Sequence, residues 1–227
     1  MGTVTTLYLV TMAASAVLAV VLAVTVARNR SEPAMRWFLL LLGSVVLWSG
    51  GQTVETLATE FWQATVGHHL VYLGIVGNVT FFFLFALEYT GRGEYVTRRG
   101  LVLLATYPVG ITAAVWTNPL HGLLWPPATF DSTAVSTFVN PGKGPLFLLH
   151  VLVAYSLFVV SSLLLARLYY RSQSLYRGQI AAMLVGVFVP LVSNALYVLE
   201  VVPYDLTPTA FLVTGAAVLS AVRWFEF

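Results

Sequence analysis

Few side chains in this 227-residue chain can bind or react, and the most suggestive of them stand at helical spacing inside apolar sequence. Gln52 and Glu55 are three apart, on one face of a helix, and Trp48 lies one turn deeper on that face. Asn78 falls in the middle of the apolar segment 70–89, and His150 lies one turn inside the segment 145–168. Asn194 follows Pro190 by one turn on the same face, with Tyr197 three further on. A carboxylate or carboxamide in hydrocarbon is costly and by default points to function. Gln52, Glu55, Asn78, His150, Asn194 and Tyr197 are therefore the candidate ligand-binding residues, expected to line one cavity. Pro190 cannot donate its backbone hydrogen bond and leaves a helix carbonyl free, which makes it the expected kink and flexible point. Plainer accounts stand beside these: a structural interhelix hydrogen bond at Asn194, headgroup solvation at Glu55, and interfacial placement of the histidines.

The elements that must position these residues can be read from composition. The chain is 59% apolar and 9% charged, with mean hydropathy +0.86, whereas soluble domains carry roughly 25% charge. An integral membrane protein with almost no room for a soluble domain is expected. There is no cysteine, which excludes disulfides, thiolate metal sites and cysteine nucleophiles. Seven apolar segments can be drawn, at 4–27, 35–58, 70–89, 101–116, 145–168, 180–199 and 207–222. The first would be about 36 Å long as a helix, enough to span a bilayer. No cation precedes it and Arg28 and Arg30 come directly after it, the reverse of a signal peptide.

In a seven-span arrangement, Arg28, Arg30, Arg36, Arg92, Arg98, Arg99, Arg167, Arg171, Arg177 and Arg223 fall on one side, and Lys143 alone falls on the other. The positive-inside rule then puts the N-terminus outside and the C-terminus in the cytoplasm. The fold expected is an all-α, multi-pass integral protein of the cell membrane: a seven-transmembrane helix bundle forming one sensory domain over 1–227. The long connection 117–144 is rich in turn chemistry, with Asn118-Pro119, Pro126-Pro127 and Asn140-Pro141-Gly142. An extracellular cap is expected there, with a hairpin around 132–139 and with Trp116, Trp125 and Phe130 as an interfacial belt.

On this topology His68, His69, His121, His150, Gln52, Glu55, Glu60, Glu200 and Asp205 all belong to the outer half, so the cavity would open outward, between the second, third, fifth and sixth helices. The histidines are not spaced as a metal motif, and adjacent His68 and His69 diverge on a helix. No metal and no cofactor is expected; titration near neutral pH is the other use such histidines have. Glu88 is expected to meet Arg92 at i+4. The Asn78-Val79-Thr80 sequon lies within a span and is read as accidental. Several known chemistries fall away. The seventh segment has no lysine for a retinal Schiff base, and GxSxG, HExxH and P-loop motifs are absent. Enzymatic activity is not expected of this chain.

The chain resembles the N-terminal seven-transmembrane sensor region of prokaryotic histidine kinases. The resemblance rests on Trp116-Thr117-Asn118-Pro119-Leu120-His121 with Trp125, and on Gly144-Pro145-Leu146-Phe147 with His150 and Tyr155. It continues through Tyr176-Arg177-Gly178-Gln179, Pro190 and Asn194, and ends in Asp205-Leu206-Thr207-Pro208 with Phe211. It implies a receiver of signals whose seventh helix leads into cytoplasmic modules, with a homodimer formed through those modules. No phosphoacceptor or ATP site is expected within these residues, and the stop just past Arg223 suggests a sensor part cut from a longer chain. The partners expected are the lipid bilayer and a small molecule arriving from outside, with no nucleic acid. A small membrane transporter or channel is the alternative function.

Overall fold

The computed structural model describes residues 2–27, 33–131, 137–139 and 142–224, without the side chains of 174–176 and 218–224. Seven long α-helices account for most of them: α1 (Thr3–Val26), α2 (Pro33–Leu57), α3 (Phe61–Tyr89), α4 (Arg98–His121), α5 (Pro145–Arg171), α6 (Ser174–Val198) and α7 (Thr207–Trp224). Among the described residues, α1 to α5 and residues 177–198 of α6 are each long and apolar enough to cross a membrane. At 18 residues α7 is the shortest.

Five helices close a ring in the order α2, α3, α5, α6, α7. Outside that ring α1 packs on α2 and α7, and α4 packs on α3. The helices alternate in direction. Arg36 at the start of α2 bonds Glu88 at the end of α3 at 2.9 Å, while Glu55 at the end of α2 meets His68 near the start of α3. One end of the bundle, the arginine end, thus gathers the described arginines. The other, the cap end, carries the α4–α5 connection.

The closest seam is α2 against α3. A Cβ added to Gly67 would lie 2.5 Å from the Glu55 backbone nitrogen, and one added to Gly74 would lie 2.5 Å from that of Trp48. Backbone thus meets backbone, as small residues permit where lipid gives helices no hydrophobic reason to associate. The seam holds Trp48, Gln52 and Glu55 against the cap-end half of α3. A capping box between Glu60 and Gln63 starts α3 nine residues earlier than its apolar segment suggests.

α1 and α7 are tied by hydroxyls. Tyr8 Oη donates to the Asp205 carbonyl at 2.6 Å, Ser15 Oγ donates to the Pro208 carbonyl at 2.6 Å, and Thr11 and Thr209 share a hydrogen bond of 2.9 Å. In α6, Pro190 removes the bond that would end on the Gly186 carbonyl. The Thr214 hydroxyl of α7 donates to that carbonyl instead.

The α4–α5 connection is shorter than expected, because α4 continues through Pro119 to His121 and closes on Gly122 in the left-handed region, at φ 61°. Asn118 then organises the first turn of the connection: its Nδ2 donates to the Trp125 carbonyl at 2.9 Å, and its Oδ1 accepts from the Leu124 N–H at 3.0 Å. Strands β1 (Thr129–Phe130) and β2 (Phe138–Val139) pair antiparallel. They flank the expected hairpin, of which residues 132–136 lie outside the described residues.

Two expectations are corrected. Trp125 is 4% exposed and belongs to a cluster with Tyr72, Val115 and Phe138, so it is core and not an interfacial belt residue. Asn118 pulls its backbone inward, whereas Trp116 remains exposed and stacks on His69. Glu88 pairs with Arg36 across the helix seam, and not with Arg92, whose guanidinium turns to Thr90. Arg92 lies past the last turn of α3, off the helical spacing that i+4 requires.

Candidate functional site

A void of about 640 Å³ lies inside the helix ring at the cap end. That is within the roughly 300–1,000 Å³ usual for small-molecule sites. All six sequence-predicted residues border it: Gln52 and Glu55 from α2, Asn78 from α3, His150 from α5, and Asn194 and Tyr197 from α6. The helix set expected from the sequence is the one found, with additions: Phe211 and Thr207 of α7, Trp125 and Phe138 of the cap, and the α6–α7 turn.

Several of the polar groups are held by a definable partner. His68 Nδ1 lies 3.1 Å from Glu55 Oε2, and Gln52 Nε2 donates to Glu55 Oε1 at 3.4 Å. The Thr137 hydroxyl of the cap donates to the Glu55 carbonyl. His68 is also stacked on Phe138, with ring centroids 4.1 Å apart. The cap therefore sits directly on the carboxylate expected within a span at this end. His150 Nδ1 and the Tyr107 hydroxyl share a hydrogen bond of 3.1 Å, which joins α5 to α4. Tyr155 Oη donates to Asn194 Oδ1 at 3.0 Å. The interhelix bond and the cavity wall are alternatives for Asn194 on sequence, and in the structure it takes part in both.

The α6–α7 turn supplies a second carboxylate. Asp205 is 7% exposed, and its Oδ1 accepts from the Thr207 N–H at 2.9 Å and from the Thr207 hydroxyl at 2.5 Å. Burial pushes the Asp205 carboxyl above the ordinary carboxylate range, and the nearby Glu55 charge adds to the rise, while the two Thr207 bonds oppose it. The Trp48 indole N–H leans toward this carboxyl without completing a hydrogen bond. At the rim Lys143 Nζ donates to Glu200 Oε1 at 2.6 Å and to the Val198 carbonyl at 2.5 Å. That ion pair holds the exposed Glu200 carboxyl below its usual range. It links the cap to the end of α6, where Glu200 takes a left-handed backbone, φ 60°.

A smaller apolar chamber of about 60 Å³ continues toward the arginine end. Both chambers share Asn78, Phe158, Pro190 and Phe211. Below them Phe82, Phe85, Ala86, Leu165 and Ile180 form a closed apolar cluster.

A family model described as the N-terminal 7TM region of histidine kinase matches residues 11–227. The chain belongs to this family. It is thus a membrane sensory domain of the histidine-kinase type, which agrees with the resemblance drawn from its motifs. No curated protein and no solved structure matches the chain.

Several wall residues of this sensory domain were missed by sequence reasoning. Tyr155 lies five residues past His150, about 140° round the helix from it, so that spacing gave no signal. Asp205 was seen as an outer carboxylate, but its Asp-x-Thr-Pro context reads first as a helix start, which hid its wall position. His68 and Phe211 had no one-dimensional signal. The pairing of His68 with Glu55 depends on the glycine seam between α2 and α3.

Proposed function

We propose that this chain is the receiving unit of a histidine-kinase-type signalling protein, and that a small molecule entering at the cap end is its stimulus. The observation that carries the reading is the large void among the described residues. It is polar at the cap end only, and its floor is formed by Pro190 of α6 together with Phe211 of α7. With the arginine-rich end in the cytoplasm, as the positive-inside rule asks, the void faces outward and α7 leads inward.

The coupling runs through α6 and α7. A ligand against Asn194 and Tyr197 loads the segment beyond Pro190. On the near side of the proline α6 is joined to α7 by the Thr214 bond to the Gly186 carbonyl, the one made free by Pro190. Two packings of this joint, stabilised unequally by ligand, suffice to shift α7. Two copies would then be paired through cytoplasmic modules, and the displacement of α7 would be read by them. Gln52, Glu55, Asn78, His150, Asn194 and Tyr197 are assigned to ligand contact.

The test joins this chain to a histidine kinase core and measures autophosphorylation with Asn194→Leu and Glu55→Leu. Loss of regulated signalling in both, with normal membrane insertion, is expected. Unchanged regulation in both variants overturns the reading. A transporter or channel would need polar groups through the full depth. The closed cluster around Phe82, Phe85 and Leu165 argues against that, and a liposome flux assay is expected to register no transport.

A further inference from the structure

The charge balance of the cavity says what class of molecule fits it. Among the described residues three carboxylates border the void, Glu55, Glu200 and Asp205, against one lysine. Lys143 is paired with Glu200 at the rim, which leaves Glu55 and Asp205 with imidazoles as their basic neighbours on the described wall. His150 is engaged by the Tyr107 hydroxyl and makes no ion pair with either. His68 turns one ring nitrogen to Glu55, while Asp205 receives the neutral donors of Thr207. A carboxylate taken out of water, as that of Asp205 is, favours a cation beside it.

The hydrogen-bonding valence of the wall points the same way. His68 is 8% exposed, borders the void, and its Nε2 has no partner among the described residues. That nitrogen is itself buried, which leaves the acceptor side of the wall to the carboxylates. The wall thus offers the carboxylates of Glu55 and Asp205 as acceptors, and it calls for donors. Aromatic faces surround them. Trp48, Tyr72 and Tyr204 all border the void, and rings of this kind attract a cation through their negative faces. The apolar second chamber continues from the polar one and has room for a short hydrocarbon segment.

We propose that the cavity binds a primary alkylammonium, with its N–H donors on Asp205 and Glu55 and its apolar tail past Asn78 into the lower chamber. This rests on the reading that the void is a ligand site. A free amine and an aminophospholipid headgroup share this chemistry. A quaternary ammonium has the charge but no donors, an alcohol has the donor but no charge, and a carboxylate has the wrong charge.

The experiment reconstitutes the full chain in phosphatidylcholine nanodiscs at pH 7 and tracks tryptophan fluorescence, since Trp48 and Trp125 border the void. The probes are hexylammonium, hexyltrimethylammonium, hexanol and hexanoate. Saturable binding of hexylammonium at least tenfold tighter than hexanol or hexyltrimethylammonium is expected, with hexanoate weakest. Asp205→Asn should lose that tenfold preference while binding hexanol as before, which also reports that the variant is folded. Glu55→Gln is the second variant should Asp205→Asn fail to fold. Hexanol or hexanoate binding as tightly as hexylammonium overturns the ammonium assignment but leaves a ligand cavity standing. The same holds if both variants keep the preference. No saturable binding of any probe by the folded chain overturns the ligand site itself. Repeating the titration with phosphatidylethanolamine in the discs separates the sources. Weakened hexylammonium binding assigns the site to the lipid headgroup, and unchanged binding assigns it to a free amine.

Discussion

The two ends of this bundle are built on opposite principles. At the cap end, carboxylates, carboxamides and histidines are buried around a void, and three bonds, His68 to Glu55, His150 to Tyr107 and Asn194 to Tyr155, cross a helix gap. At the arginine end, Phe82, Phe85, Leu165 and Ile180 close on one another, and the polar groups lie at the rim, as Arg36 and Glu88 do. A binding site tolerates imperfect packing because its occupant completes it, whereas a packed apolar cluster transmits displacement because its parts cannot be compressed. The joint between the two regimes is Pro190, where a proline is balanced by a hydroxyl from the neighbouring helix.

The contrast between the ends can be broken first at the seam that both share. Gly67→Leu forces the α2 and α3 backbones apart, and should cost about 3 kcal/mol or more by the usual penalty for overpacking. Thermal unfolding in nanodiscs measures it, and cavity binding should vanish with it. Phe85→Ala removes a ring that is 2% exposed in the arginine-end cluster. A loss of about 3 kcal/mol is expected from the cavity left behind, while Asn78→Leu at the other end should cost far less. Equal losses would mean that the two ends are not packed differently.

A finer cut tests the joint. Thr214→Val should cost about 1–2 kcal/mol by orphaning the Gly186 carbonyl. The same change made on Pro190→Ala should cost much less, because the helix then satisfies that carbonyl itself. Additive effects would show that the two residues do not act as a unit. The smallest effect belongs to the rim. Glu200 has its carboxyl pKa lowered by Lys143, so the stabilisation it gives is present above its ordinary pKa and is lost as pH falls through the lowered one. Lys143→Met should return Glu200 to the ordinary carboxylate range, seen as an upward shift of its titration midpoint by NMR.

Much of this molecule was legible in one dimension. The segment drawn at 4–27 became Thr3–Val26, and the one at 35–58 became Pro33–Leu57, since uninterrupted apolar runs fix a helix by length alone. That the six candidate residues share one void was legible because a polar side chain in a span has few places to go, and the interior is the cheapest. Asn194 and Pro190 were readable together, from their one-turn spacing. The partners were not readable. Glu88 was assigned the nearest cation in the chain, Arg92, but meets Arg36, 52 positions away, because the antiparallel seam brings the helix ends together. Trp125 was given to the interface because its neighbours are turn residues, and the Asn118 side chain draws it into the core instead.

Composition and periodicity by themselves determined that the chain is membrane-spanning, which residues share a helix face, and which end carries the polar ones. Those are properties of one helix at a time, set by transfer of side chains between water and hydrocarbon. Only the tertiary structure decided that Glu55 would face His68, that Asp205 would join the wall, and that Thr214 would complete Pro190. Such pairings depend on how closely two backbones approach, which at Gly67 and Gly74 is governed by the absence of a Cβ against a partner many residues away.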